Sequence, residues 1–374
     1  MKAIFLTNSV DFESPIPGGV QICSKEFYDI IKIRFELIFF NIHITRKITY
    51  RLIRKLGIDF YHLYDVNEYK NRLIAVLKDN EVKCVFINKA EAIKFAPLIK
   101  SIRNDIKVIV LSHGNESGDF LGDISRGFYK FSTLKLLIKK IRLGLNIYVE
   151  SYYRIRYVDV VLTMSETEKH IEYWLGSKEV ILIPRVYYPE FLNFKFKEKK
   201  FGYVGTLDHT PNISALISLF EEIEKANITP EFVIEIVGSP VNKGEQLTKR
   251  FTFVKYLGAK TDTELKEIAS EWSFFINPIF WYSRGASMKL RTAINWGIPI
   301  ISTNAGARGY EWRKGSMILC LESPKAMAKI ILDKNIFEQV EFWANQTKLI
   351  AENGIPLSEL SDKLNVALDI DIPK

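Results

Sequence analysis

The sequence predicts an α/β protein built from two doubly wound domains, each with a parallel sheet. Three observations lead there. Short apolar runs rich in Ile, Val and Phe recur along the chain, and helix-period segments separate most of them. The 374 residues are enough for two domains of ordinary size. Hydrophobic residues make up 47% and charged residues 26%, which excludes a disordered or fibrous chain.

Taken in order, residues 2–8 read as a first buried strand, followed by a glycine loop over 15–19 and a helix over 20–33. Further strands are expected at 36–41, 83–88, 107–111 and 158–164. The second half repeats the pattern, with strands at 200–204, 232–237, 252–256, 273–277, 298–302 and 317–321. Helices are expected at 212–225, where Pro211 supplies a start signal, and at 263–272, 287–296 and 323–334. The expected division is an amino-terminal domain over 1–182, a linker over 183–199, a carboxyl-terminal domain over 200–350, and a helix and tail over 351–374. The linker carries Pro184, Pro189 and the charged run that starts at Lys195. Two such domains place the carboxyl ends of their strands across one cleft, where ligands of this fold class bind.

Three scattered cysteines, Cys23, Cys84 and Cys320, argue against a disulfide scaffold and fit a reducing cytoplasm. No run of about 18 apolar residues predicts a membrane-spanning helix, and the opening apolar run is too short for a secretory signal. The net charge of +8 is uneven. Residues 1–190 hold 29 Lys/Arg and 22 Asp/Glu, a net of +7, which leaves +1 for the remainder. A basic half beside a neutral one points to an anionic surface or ligand.

The loops after the strands carry the chemistry. Gly205-Thr206, Gly238 and Leu257-Gly258 each end a predicted strand with a small residue, which lets backbone N–H groups approach a phosphate. A plain strand-to-helix turn explains any one of them equally well. The most specific stretch runs from Trp281 to Tyr310: a loop, a helix from about Ser287, the stop at Gly297, a buried strand and a second glycine-rich loop. Arg284 lies before that helix and Lys289 in its first turn. Both can neutralise a diphosphate, with the helix dipole adding to the field. A solvated basic turn is the simpler alternative.

Gly205-Thr206, Pro211-Asn212, Gly258, Gly285 to Leu290, Ala293, Gly297-Ile-Pro, and the series Ser302-Thr303, Gly306-Ala307 and Gly309 resemble the donor half of GT-B glycosyltransferases of the family-four, group 1 type. The likeness is densest over 200–312 and extends more weakly to residues 17–20, His113-Gly114 and 160–165. It implies a nucleotide-sugar donor and a role in bacterial surface polysaccharide synthesis. It implies that Gly18 and Gly19 face donor phosphates and acceptor. His113 then lines the cleft near the transferred sugar, and Gly205 and Thr206 lie opposite the diphosphate. Lys289 matches a lysine near the diphosphate, and Gly238, Leu257 and Gly258 lie where the base sits. The sequence departs from the family in two ways: the usual pair of glutamates is replaced by Arg284 and Thr292, and Thr206-Leu-Asp-His209 stands where the first donor loop often carries a basic residue, a charge that Arg284 can replace. Thr292 can still accept a hydrogen bond from a ribose hydroxyl, whereas Arg284 cannot accept one and suits a phosphate or an acidic sugar.

The resemblance implies retention of configuration, with the donor phosphate taking the acceptor proton. Failing that, Glu116 and Asp119 are the candidate acids on the acceptor side. Asp369-Ile-Asp371 has the form of a metal-binding triplet but follows no core strand and reads as tail. No cluster of His, Cys and carboxylates has metal-site spacing, so neither a metal nor another cofactor is expected. Nucleic acid is a poor partner for these buried sheets.

Residues 125–157 hold eight cations against Glu150, and Phe131, Leu134, Ile138, Ile141, Leu145, Tyr148 and Tyr152 form one stripe at steps of three and four. Phe128, Tyr129 and Tyr153 add rings, and residues 46–55 hold five more cations without an acid. An interfacial helix on an anionic membrane has this pattern, and so does a core helix with a solvated basic face. The leading expectation is a membrane-peripheral glycosyltransferase acting on a glycan or lipid-linked saccharide. A non-catalytic GT-B subunit that binds a partner transferase or glycan is the alternative, and a nucleotide-sugar epimerase a weaker third.

Overall fold

A computed structural model of the protein describes residues 1–13, 18–56, 58–125, 132–196, 199–310 and 315–368. Pro17, Arg126, Phe128, Tyr129, Lys130, Phe131, Lys197, Glu198, Asp369 and Asp371, all weighed above, lie outside them. The chain forms two compact units, one of residues 1–186 with 355–374 and the other of 187–354. The closing helix thus packs in the amino-terminal unit, and most of the expected linker packs in the carboxyl-terminal one.

The first unit runs β1 (Lys2–Asn8), α1 (Gly19–Ile31), β2 (Glu36–Ile42), α2 (Ile48–Leu56), α3 (Lys70–Leu77), β3 (Val82–Asn88), α4 (Ala96–Ile102), β4 (Lys107–Leu111), α5 (Glu116–Ser125), α6 (Thr133–Tyr157), β5 (Val160–Thr163), α7 (Glu166–Trp174) and β6 (Val180–Leu182). Its strands form one parallel sheet in the order β2-β1-β3-β4-β5-β6. The last strand falls just before the linker expected from sequence and was not anticipated, because three residues are too few for a periodic signal. Almost every residue of β1, β3 and β4 is buried, the signature of a parallel sheet covered on both faces.

The second unit runs β7 (Lys200–Val204), α8 (Thr210–Lys225), β8 (Val233–Val237), α9 (Val241–Arg250), β9 (Val254–Gly258), α10 (Asp262–Ala269), β10 (Phe274–Asn277), α11 (Met288–Trp296), β11 (Ile300–Thr303), β12 (Ile318–Cys320), α12 (Pro324–Ile331) and α13 (Val340–Glu352). α14 (Leu357–Leu368) then packs against α1 of the first unit. The second sheet is also parallel, in the order β12-β11-β10-β7-β8-β9. The strand order reverses between β7 and β10 here, and between β1 and β3 in the first sheet. At such a point the two outgoing loops part and leave a crevice beyond the strand ends.

α6 has an unusual cross-section. Its fully buried residues are polar, Asn146, Glu150 and Arg154, while Val149, Tyr153 and Tyr157 pack partly against the core of the unit. The Arg154 guanidinium forks onto Glu172 of α7, with Nη2 donating to Oε1 at 2.9 Å and Nε to Oε2. The hydroxyls of Ser112 and Ser177 donate to the same carboxylate at 3.1 and 3.2 Å. Glu150 accepts from the Asn115 amide at 3.0 Å, the Ser117 N–H at 3.2 Å and the Tyr61 hydroxyl. The apolar stripe therefore points outward, with Leu134, Ile138, Ile141, Leu145 and Tyr148 exposed. This corrects the core-helix alternative: buried charges, once fully hydrogen-bonded, hold the polar face inward.

Because Arg154 and Glu172 are both essentially inaccessible, Glu172→Ala leaves a buried cation without its partner. Denaturant unfolding is expected to show a loss of about 3–5 kcal/mol. A change within experimental error would show that the pair does not anchor α6.

Candidate donor site in the carboxyl-terminal unit

Three turns at the carboxyl edge of the second sheet are joined through backbone. Gly205 N–H donates to Val237 C=O at 3.0 Å, and Gly238 N–H to Gly258 C=O at 3.0 Å. Leu207 N–H reaches Ser239 C=O at 2.6 Å, and the Tyr256 hydroxyl donates to Gly238 C=O at 2.7 Å. Gly238 has φ +155°, and a Cβ there would lie 2.0 Å from the Gly205 carbonyl oxygen. Leu257 packs partly against the core, whereas Gly258, with φ +80°, has open space where a Cβ would project.

α11 begins across the reversal point. Ser287 precedes it in extended conformation, and Gly297 ends it in the left-handed region at φ +71°. Leu290, Ala293 and Ile294 form the buried stripe that seats it. The loop after β11 holds its start: Ser287 N–H donates to Arg308 C=O at 3.3 Å, and the Tyr310 hydroxyl to Ser287 C=O at 2.8 Å. Arg308 Nη2 donates to Ser283 Oγ and to Arg284 C=O, each at 3.2 Å. Asn277 at the end of β10 ties this loop to the sheet through Gly306 C=O at 2.8 Å.

Lys289, in the first turn of α11, reaches from this loop system to the other. Its Nζ donates to the Tyr203 hydroxyl at 2.9 Å and to Asn212 Oδ1 at 2.7 Å, and lies 4.7 Å from the Tyr203 ring centre. Asn212 in turn donates to Thr206 C=O at 2.8 Å, which links the lysine to the loop after β7. A Cβ at Gly205 would lie 2.8 Å from Lys289 Cε and 2.9 Å from the Tyr203 hydroxyl, so a side chain there would displace the lysine from its present contacts. Although the residue is partly accessible along its length, burial of its ammonium pulls its pKa down to about 7, and the neighbouring Arg308 cation pulls in the same direction. Tyr203 is buried too, which pushes its phenol well above the usual range, so the group beside the lysine stays neutral. Two of the three ammonium N–H groups are used on neutral oxygens, and no described carboxylate pairs with the charge. Such a pocket favours an incoming anion.

The other predicted residues of this unit lie around the same edge. Thr206 follows Gly205 in the loop. Arg284 stands in the loop before α11, where its carbonyl accepts from Arg308. Thr292, one turn into α11, donates its hydroxyl proton back to Met288 C=O at 3.3 Å, leaving its oxygen as an acceptor. Tyr203, Asn212 and Arg308 were not assigned site roles from sequence. Asn212 reads as a helix-start residue and Tyr203 as core. Arg308 lies within a glycine-rich loop, the one signal that pointed to it.

A second polar cluster occupies the reversal point of the first sheet. His113, just after β4, pairs its Nε2 with Asn88 Oδ1 at 3.0 Å. The Asn88 amide donates to Thr7 Oγ1 and Ser24 Oγ, both at 2.9 Å, and more weakly to Asp11 at 3.4 Å. Lys89 closes the cluster with Asp11 at 2.9 Å and Glu91 at 3.1 Å. Burial raises the pKa of Asp11 above the usual carboxylate range despite that lysine. Gly18 caps α1, its N–H donating to Gln21 Oε1 at 3.0 Å, and Gly19 opens the helix. Glu116 and Asp119 both stand in the first turn of α5, where a helix terminus favours negative charge whatever else they do. Asp11, Asn88 and Lys89 were missed, because single polar residues at strand ends carry no periodic signal.

Residues 198–333 match the family model described as glycosyl transferases group 1. No curated protein matches the sequence. Solved structures with the same architecture include the lipopolysaccharide outer core galactosyltransferase WaaB in its apo form, at 14% identity and TM-score 0.63 over 99% of both chains. Another is Alr3699/HepE of Anabaena in complex with UDP-glucose, at 14% identity and TM-score 0.64, again over 99% of both chains. A third is the UDP-forming α,α-trehalose-phosphate synthase of Burkholderia xenovorans in complex with glucose-6-phosphate, at 11% identity and TM-score 0.62, covering 99% of this chain and 100% of that one. At these identities the structural likeness establishes the fold, and the family match supplies the class of enzyme. Two parallel sheets in these strand orders give the chain the GT-B architecture, and residues 198–333 carry a glycosyl transferases group 1 domain.

Proposed function

We propose that the protein transfers a sugar from a nucleotide-sugar donor to a glycan or lipid-linked saccharide in surface polysaccharide synthesis, at the inner face of the cell membrane. The observation that carries this reading is Lys289, a buried ammonium with neutral partners at the reversal point of the second sheet. Transfer breaks the bond between the sugar's anomeric carbon and the diphosphate. Charge builds on the departing oxygen, and preorganised donors that meet it there lower the barrier. Lys289, the N–H groups at the start of α11 and the glycine backbone of the loop after β7 supply such donors from this chain. We assign no metal to the step.

Gly238, Leu257 and Gly258 are read as the surface for the base, Thr292 as an acceptor for a ribose hydroxyl, and Arg284 as a contact for phosphate or an acidic sugar. His113, held by Asn88, is read as a contact for the transferred sugar, and Gly18 and Gly19 as contacts for phosphates and acceptor. Retention of configuration fits this set, since the leaving phosphate can take the acceptor proton; Glu116 and Asp119 are the residues to test if the product is inverted. Arg284 and Thr292, which stand where the resemblance implies two carboxylates, favour a second reading, a non-catalytic subunit for a partner transferase.

Calorimetric titration with UDP, GDP, CDP and TDP tests the reading. One of them is expected to bind at micromolar affinity, and Lys289→Ala to weaken it by about tenfold or more, the scale of a lost charge-assisted hydrogen bond. At pH 8 the free lysine is largely neutral, so binding is expected to take up close to one proton, seen as a dependence of the heat on buffer ionisation. Lys289→Ala abolishes that uptake. Failure of all four nucleotides to bind would favour the non-catalytic subunit.

The depressed pKa also sets a stability test in the absence of nucleotide. The unfolded lysine holds its proton up to about 10.5 and the folded one only to about 7. Between these values the unfolded state binds more protons, so this contribution to stability rises with pH. Lys289→Met is expected to raise the melting temperature of the nucleotide-free protein at pH 7 by about 2–4 °C, the shift that about 1 kcal/mol produces in a domain of this size. The gain should shrink toward pH 10. A variant that melts lower at every pH would argue against an unneutralised cation.

A further inference from the structure

We propose that α2 and the amino-terminal half of α6 form one docking surface for the anionic headgroups and outer acyl chains of a lipid bilayer. This deepens the reading above by naming the surface through which a lipid-linked acceptor would be met. On α6, Leu134, Leu137, Ile138, Ile141, Leu145 and Tyr148 are exposed, Leu134 by 67%. On α2 the exposed aliphatic residues are Ile48 at 72%, Leu52, and Leu56 at 65%, and none of its residues is buried. Water-facing helices of a monomer rarely carry contiguous aliphatic surface of this kind, and large exposed apolar patches mark interaction sites.

The chain that leaves α2 is tied to α6. Four residues after α2 ends, the Phe60 N–H donates to Asn146 Oδ1 of α6 at 2.9 Å, and the Arg142 guanidinium lies 4.0 Å from the Phe60 ring centre. The same guanidinium lies 4.9 Å from the ring of Phe120 on α5, whose neighbour Leu121 is also exposed. The outward turn of the α6 stripe is imposed from beneath, since Asn146, Glu150 and Arg154 satisfy their polar groups inside the unit.

Charge selects the occupant. Residues 132–149 contain no Asp or Glu, and neither do residues 43–58. Lys135 and Lys140 flank the α6 stripe, and Arg51 and Lys55 accompany the α2 aliphatics, all four exposed. Lys47 is already matched by Asp65 and Glu68. A second copy of this chain would place cations against cations, which costs an isologous contact dearly. Protein interface cores are depleted in lysine. Aliphatic side chains interleaved with unmatched cations fit an anionic leaflet, where burial of the former and attraction of the latter act together.

Co-sedimentation of the full chain with vesicles of phosphatidylcholine containing a minority of phosphatidylglycerol tests this. Binding is expected to the mixed vesicles, to weaken at raised salt, and to be far weaker on phosphatidylcholine alone. Replacing Leu134, Ile138 and Ile141 together by Gln should reduce partitioning by at least about tenfold, given what each aliphatic side chain gains on leaving water. Leu52→Gln with Leu56→Gln should act in the same direction. Lys135→Gln with Lys140→Gln should cost about fivefold per cation on mixed vesicles, and little on neutral ones. All these positions are exposed, so unchanged unfolding midpoints separate lost docking from lost fold. Wild-type binding that ignores lipid charge, or apolar variants that partition like wild type, would overturn the proposal. So would sedimentation of the free protein as a dimer that the same variants dissociate. The nucleotide titration is read without vesicles, so failure of docking and failure of the transferase reading are distinguishable.

Discussion

Every strand of both sheets pairs in parallel, and each therefore needs a return crossing along the sheet before the next strand can begin. That constraint sends the loops after the strands to one edge of each sheet. It also makes the point of reversed order the place where neighbouring loops separate. In the second sheet the loops that separate are those after β7 and β10. Gly205 stands on one and the start of α11 follows the other, and Lys289 joins them. In the first sheet the same logic brings Thr7, Asp11 and Asn88 from β1, its following turn and β3 to one cluster with His113. Chemistry gathers at these edges because the backbone topology leaves nowhere else for a strand-end residue to project.

Lys289 shows what the proposed donor site requires of the fold. An ammonium among a phenol, an amide and glycine backbone is poorly solvated, and its charged form is held at a disadvantage until an anion arrives. The surrounding sequence makes room for it. Gly205 lacks the Cβ that would collide with the lysine, and Gly238 lacks one that would collide with the Gly205 carbonyl. Arg308 braces the loop before α11 through Ser283 and the Arg284 carbonyl while adding positive field. The arrangement suits a developing phosphate charge because these donors are already oriented before reaction.

α6 follows the opposite economy from an ordinary amphipathic helix. Its fully buried residues are polar, Asn146, Glu150 and Arg154, each with partners in the amino-terminal unit, beside the partly buried Val149, Tyr153 and Tyr157. With those partners present the polar face is the inward one, and the aliphatic face is left outside. The helix thereby couples a demanding buried network to an exposed surface that water alone does not favour.

By itself the sequence determined the layer architecture, eleven of the twelve described strands within two residues of their ends, and the helix stop at Gly297, because apolar runs and glycine conformation are local properties of the chain. It also marked Gly205, Gly238, Gly258 and Lys289, since small residues at strand ends and a cation in a first helical turn have meaning without tertiary context. The tertiary structure alone decided which polar residues meet. Asp11 and Asn88 are separated by 77 positions, and Tyr203 and Lys289 by 86, distances over which no periodicity carries information. It also decided the facing of α6. A helical stripe in sequence specifies two opposite faces equally well, and only the partners waiting for Glu150 and Arg154 determine which of them turns to water.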